Sequence, residues 1–226
     1  MPRPRDSSEL RCTRRLEAQA HRQGWRLIAG CDEVGRGALL GPLYAAAVIL
    51  DPSKPVAGVD DSKKLSPRDR ESLSAQIIER ALCFQVVAIS AEEVDALNVY
   101  EASRQAMLRA LRALEPPPDF VLTDAMPLSQ GDGSPALRIP YRAIIHGDAR
   151  SVSIAAASIL AKVARDRHLE DLDRIYPQYG LAKNKGYGTR EHLEALAHYG
   201  PCPEHRKSYQ PVKDLLLPLF PFSSSA

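Results

Sequence analysis

Short apolar runs separated by glycine, proline and charged residues set the pattern of this chain, and the period of each run predicts the element it forms. Residues 25 to 32 and 43 to 50 read as strands joined by a glycine-containing loop, and residues 83 to 90 read as a third. Short links favour antiparallel neighbours. Ser66-Pro67 marks a helix start, with serine as N-cap and proline at the first helical position. A longer helix is predicted from Ala91 to about Leu114, ended by Pro116-Pro117-Pro118. The run Phe120-Val121-Leu122-Thr123 makes a short strand ending at Asp124, and residues 139 to 145 make another ending at His146-Gly147-Asp148. Each strand places an aspartate at its C-terminal end.

From Ser153 to about Tyr176 the pattern is helical, and its small residues Ala155, Ala156 and Ala157 allow close approach to a sheet. Ser158, Lys162 and Asp166 share one face of that helix. A further helix is predicted from Arg190 to His198, before Gly200-Pro201 and Pro203 break regularity. Three antiparallel strands followed by strands alternating with helices predict an α/β domain with a mixed sheet. The chain divides into a basic N-terminal extension over 1–24, a catalytic domain over 25–175, a helical extension over 176–213 and an apolar, then serine-rich, tail over 214–226.

The candidate chemistry lies at the strand ends. Asp32 and Glu33 close an apolar run and lead into Val34-Gly35-Arg36-Gly37, a loop able to offer backbone N–H groups to a phosphate. Carboxylates repel phosphodiesters, so joining them to a phosphate-cradling loop makes sense mainly with divalent cations between the two. Adjacent strand residues point to opposite faces, so Asp32 and Glu33 share a site only if the strand stops or bends there, and Gly35 and Gly37 supply a break. With Asp124 and Asp148 the set has the ligand type and number for two Mg²⁺ or Mn²⁺ ions roughly 4 Å apart. Taken singly, each acid is equally well a cap or turn residue. The segment from Gly35 to Gly41 departs from a dinucleotide fingerprint in its last interval and leads through Pro42 to a strand, where the fingerprint needs a helix. It also lacks the Lys-Ser/Thr ending of a P-loop.

Composition narrows the setting. With 226 residues and 44% hydrophobic content the chain can bury a sizeable core. Cys12, Cys31, Cys83 and Cys202 form no CxxC pair and no zinc spacing, which fits a reducing, cytoplasmic setting. No apolar stretch is long enough for a membrane span and no signal-peptide core is visible, so a soluble intracellular protein is expected. The net charge of +2 says little, but the first thirty residues carry seven arginines against three acids. Either a phosphate-touching arm or a solvated, frayed terminus fits them. The six histidines suggest no triad or metal cluster.

Asp32-Glu33-Val34-Gly35-Arg36-Gly37, Asp61-Ser62-Lys63-Lys64-Leu65, the run from Ser153 to Val163, Lys185-Gly186-Tyr187-Gly188-Thr189 and His205-Arg206-Lys207-Ser208-Tyr209 together closely resemble ribonuclease HII. The resemblance spans residues 25 to 213, in order. It implies a ribonuclease H-like fold, with a mixed five-stranded sheet flanked by helices and a small C-terminal helical extension. It also implies hydrolysis of the RNA strand of RNA/DNA hybrids and cleavage 5′ to single ribonucleotides in duplex DNA, leaving 5′-phosphate and 3′-hydroxyl ends. Asp32, Glu33, Asp124 and Asp148 are by resemblance the catalytic, metal-binding set for two Mn²⁺ or Mg²⁺ ions, with Asp166 the runner-up for the fourth place.

By the same resemblance Gly35, Arg36 and Gly37 sense the ribonucleotide 2′-OH, and Tyr187 packs on the following sugar. Ser62, Lys63, Lys64, Ser158 and Lys162 are candidate phosphate contacts, though Lys63 and Lys64 are equally well a solvated pair. The family has glycine after its third acid, whereas Ala125 stands here, so that turn is expected to differ. Another two-metal nuclease of the same fold and a silent hybrid-binding module are the alternatives. A monomer is expected. Leu215-Leu216-Leu217-Pro218-Leu219-Phe220 looks like a peptide that docks on the DNA sliding clamp, or else packs on its own domain.

Overall fold

A computed structural model describes residues 12–129 and 137–216. Most of the apolar tail, from Leu217 on, and Arg3, Arg5 and Arg11 of the basic extension lie outside the described residues. Five strands form one sheet: β1 (Ile28–Val34), β2 (Leu43–Leu50), β3 (Ala81–Ile89), β4 (Phe120–Asp124) and β5 (Tyr141–Ile144). Their spatial order is β3-β2-β1-β4-β5, antiparallel from β3 to β1 and parallel from β1 to β5. The sheet is therefore mixed, and the parallel half gathers the C-terminal ends of β1, β4 and β5 along one edge.

Helices cover both faces: α1 (Arg15–Arg22), α2 (Pro67–Arg80), α3 (Ala91–Leu97), α4 (Val99–Arg112) and α5 (Val152–Ile175). Ser66 caps α2 by accepting from the Asp69 N–H, with Pro67 at its first turn. The single helix expected over 91 to 114 is two. Asn98 takes φ +67° and its side chain accepts from the Tyr100 and Glu101 N–H groups, starting α4 afresh. On one face, Met107, Leu108 and Leu111 of α4 pack on Ala29, Cys31, Leu43 and Val121. On the other, Ala155, Ala156 and Ala157 of α5 and Ile77 of α2 pack on Ala46 and Val48.

Gly30 explains why α5 lies so near. A Cβ there would sit 2.1 Å from the Ser153 carbonyl carbon, so only glycine lets this helix backbone touch the strand. The N-terminal extension is not a frayed arm throughout, since α1 packs Ala20 among Ile28, Leu122, Ile144 and Ile154. Beyond α5, the short helices α6 (Leu181–Asn184), α7 (Arg190–Tyr199) and α8 (Gln210–Leu216) form the helical extension. Among the described residues no helix is long and apolar enough to cross a membrane.

Candidate active site

Parallel pairing aligns Cys31 of β1 with Thr123 of β4, so one step further along both strands sets Asp32 beside Asp124. Residues aligned in this way share a face, and here it is the face covered by α5. Ser158, in the second turn of α5, lies near enough to the Asp32 carboxylate to favour its charged form and is 3.0 Å from the Ser62 hydroxyl. Asp148 arrives on a turn after β5 in which His146 takes φ +55° and Gly147 donates its N–H to Asp124 Oδ1 at 2.7 Å. A Cβ on Gly147 would come within 3.3 Å of the Asp124 Cα, so that turn packs directly against Asp124. The break comes at Gly35, where φ is +91°, and β1 keeps its ladder with β2 through Val34, so the strand runs on past Asp32 and Glu33 before it turns.

The crowding has an electrostatic signature. Burial, with the charges of Glu33 and Asp124, pushes the Asp32 carboxyl well above the usual carboxylate range. Burial also raises Glu33, opposed by Arg36, whose Nη1 stands 3.3 Å from Glu33 Oε1. Glu33 Oε2 is buried with no hydrogen-bond partner. Asp124 is raised by burial and by Asp148, against the pull of the Gly147 N–H. Burial works against the Lys63 ammonium, yet its 2.9 Å contact with Asp148 Oδ2 raises it on balance. Among the described residues no three such side chains already converge as a ready-made metal centre. Mutual repulsion, with Lys63 and Arg36 holding two of the acids, accounts for the spread. An all-oxygen donor set with raised carboxyls and an orphaned oxygen fits hard divalent cations, which supply the charge this cluster lacks.

Beside the acids sit the two glycine loops. Tyr187 is 38% exposed, and a Cβ on Gly37 would lie 3.9 Å from its ring. Two fully buried arginines hold these loops, and sequence reasoning did not single them out. Arg165 of α5 donates to the carbonyls of Pro42 and Lys185 at 3.1 and 3.0 Å, and its guanidinium lies 5.5 Å from the Tyr187 ring centre. Arg206 donates to the carbonyls of Gly35, Arg36 and Gly41 at 2.7 to 3.1 Å. The place of Arg206 inside a quoted motif was the available signal, whereas Arg165 lies two residues beyond the run from Ser153 to Val163. Two further candidates have acid partners in the free protein: Lys162 pairs with Asp166 at 2.7 Å, and Lys64 lies 3.9 Å from Asp60. The turn after Asp124 is left-handed at Ala125, with φ +48°, a conformation that favours the glycine of the related motif.

Comparison with known proteins agrees with this geometry. The family model for ribonuclease HII matches residues 29–212. A ribonuclease HII from Solibacter usitatus is 48% identical over 205 residues, which is 91% of this chain and 87% of that protein. Ribonuclease H2 from Pyrococcus horikoshii OT3 superposes with a TM-score of 0.71 at 27% identity, covering 84% of this chain and 97% of the other. A ribonuclease HII solved in complex with PCNA, from Archaeoglobus fulgidus, superposes with a TM-score of 0.70 at 28% identity over the same shares. The five-stranded architecture is thus the ribonuclease H-like fold.

Proposed function

Because this chain belongs to the ribonuclease HII family, we propose that it hydrolyses the RNA strand of RNA/DNA hybrids and cuts 5′ to single ribonucleotides in duplex DNA, using Asp32, Glu33, Asp124 and Asp148. The observation that carries the assignment of these residues is the parallel register that sets Asp32 beside Asp124, with the Asp148 turn bonded to Asp124 through the Gly147 N–H, next to the Gly35-Arg36-Gly37 loop and Tyr187. Two bound Mg²⁺ or Mn²⁺ ions would supply a Lewis-acid hold on the scissile phosphate and an activated water.

The chain's own groups do the rest. Asp32 and Asp124, side by side, hold the central donor positions, and Glu33 and Asp148 flank them. Arg36 pairs with Glu33 and Lys63 with Asp148, offsetting the charge on those flanks. Backbone groups of Gly35 to Gly37 meet the 2′-OH, since glycine admits a sugar to close range. Arg206 and Arg165 hold that loop and the Tyr187 loop in fixed relation, so the sugar stacked on Tyr187 stands at a set distance from the acids. Ser62, Lys63, Lys64, Ser158 and Lys162 contact phosphates without reading sequence. Lys64 is free to do so because its pair with Asp60 is long and solvent-exposed.

The deciding experiment is cleavage of a duplex containing one ribonucleotide, with Mg²⁺ or Mn²⁺ and an all-DNA control. A cut 5′ to the ribonucleotide with the control intact is expected, whereas cleavage of the control would indicate a DNA nuclease. The PCNA complex of the Archaeoglobus relative favours a clamp partner here too. The tail from Leu215 to Phe220 is our candidate contact, and a peptide of residues 210–226 that fails to titrate a clamp would remove it.

A further inference from the structure

Glu17 lies outside the residues matched by the family model, on a helix that carries no candidate ligand. Its carboxylate is nevertheless buried against the N-terminus of α5. Glu17 Oε1 accepts from the Ser151 hydroxyl at 2.5 Å and from the Ser153 N–H at 2.9 Å. Ser151 is three residues beyond Asp148. Its own N–H reaches the Gly147 carbonyl at 2.8 Å, closing the turn that carries Asp148. One residue earlier, the Arg150 carbonyl accepts from the Thr13 N–H, so the segment leading into α1 grips the same turn.

A role in helix capping alone does not account for this arrangement. Ser151 already caps α5 by accepting from the Ile154 N–H at 3.2 Å. Glu17 Oε2 is buried without a hydrogen-bond partner among the described residues, and a half-satisfied buried carboxylate costs stability. What Glu17 does that no local cap could do is fasten the Asp148 turn to a second element. Ala20, one turn along α1, packs on Ile28, Leu122 and Ile144, which belong to the three strands ending at the acids.

From this geometry we infer that Glu17 is a positioning residue, holding the Asp148 turn at the separation from Asp124 that a shared divalent cation requires. The inference rests on the reading of Asp148 as a metal ligand. Outer partners of this kind are commonly worth about 10-fold or more in metal affinity or activity.

The test uses the full chain and Mn²⁺ alone in calorimetry, beside steady-state cleavage of a ribonucleotide-containing duplex. Glu17→Ala should weaken Mn²⁺ binding and lower kcat by about tenfold each, with KM changed by less than about twofold. Glu17→Gln keeps the acceptor oxygen and should restore most of both. Leu111→Ala, in the core on the opposite face of the sheet, provides a variant destabilised without any link to the turn, and it should keep both values. Should Glu17→Ala fail to fold, Glu17→Asp withdraws the oxygen by one methylene and carries the same expectation. Unchanged Mn²⁺ affinity and kcat in these variants, equal losses in Leu111→Ala, or no rescue by glutamine would overturn the inference. An Asp148→Asn variant that binds Mn²⁺ like the parent would instead overturn the metal site itself.

Discussion

Asp32 is buried between α5 and the sheet, with three acidic neighbours, Glu33, Asp124 and Asp148, and one hydroxyl to offset them. Because its folded-state pKa exceeds the unfolded value, protons favour the folded protein. That contribution is complete below about pH 4, the ordinary carboxylate value, and is lost as pH rises through the raised folded value. In metal-free protein at about pH 8, Asp32→Asn should therefore raise Tm by a few degrees while abolishing cleavage, and the gain should shrink on acidification. Melting scans of both proteins across pH check this, and an absent gain would show that Asp32 carries no uncompensated charge. Ala125 gives a second expectation, since its left-handed backbone costs an alanine more than a glycine. Ala125→Gly should stabilise by about 0.5–1 kcal/mol in denaturant titration, the relief of strain exceeding the added unfolded-state entropy. The four acids were legible in sequence because apolar run lengths mark strand ends. Arg165 and Arg206 were not, because a guanidinium whose partners are backbone carbonyls leaves no matching acid to find.

Elements meet where side chains are smallest, and the contact of β1 with α5 shows it most sharply. A methyl group at Gly30 would strike the Ser153 and Ile154 backbone, which cannot rotate away. Gly30→Ala should cost about 3 kcal/mol in chemical unfolding and lower activity with it, since α5 carries Ser158. The helical extension has its own weak point. His192 Nε2 and His205 Nε2 lie 3.3 Å apart, and His192 Nδ1 meets the Tyr187 carbonyl. Burial and the neighbouring His192 hold His205 down at about 4. A depressed histidine stabilises above its ordinary value near 6.5 and loses that contribution as pH falls toward the folded value. Hydrogen exchange between those limits should therefore show α7 and residues 202–206 opening before the sheet. Uniform protection would contradict it. The three antiparallel strands, the mixed sheet and the Ser66 cap could be read from pattern alone. The break at Asn98 could not, because a helical period runs through it and only a side-chain cap at φ +67° interrupts the backbone. Docking of α1 was equally hidden, since it rests on one small apolar side chain, Ala20, and one buried carboxylate, Glu17, amid arginines.

For the molecule as a whole, the proposed function rests catalysis and binding on different parts, with acids at the sheet edge and loops and lysines around it. Removing divalent ions with EDTA should abolish cleavage yet leave a gel-shifted complex with a hybrid duplex, because backbone and phosphate contacts persist. Loss of the complex along with activity would show that the cations also carry binding. The sheet order has one more consequence. Since β1 takes its parallel neighbour from β4, the proline segment at 116–118 separates Asp32 and Glu33 from Asp124 and Asp148. A chain divided there gives two inert halves, each lacking acids that the other holds. Fused to two interacting proteins, those halves would cut a fluorescent ribonucleotide-bearing duplex only after being brought together, so the topology that builds this nuclease also suits it to report on encounters between other molecules.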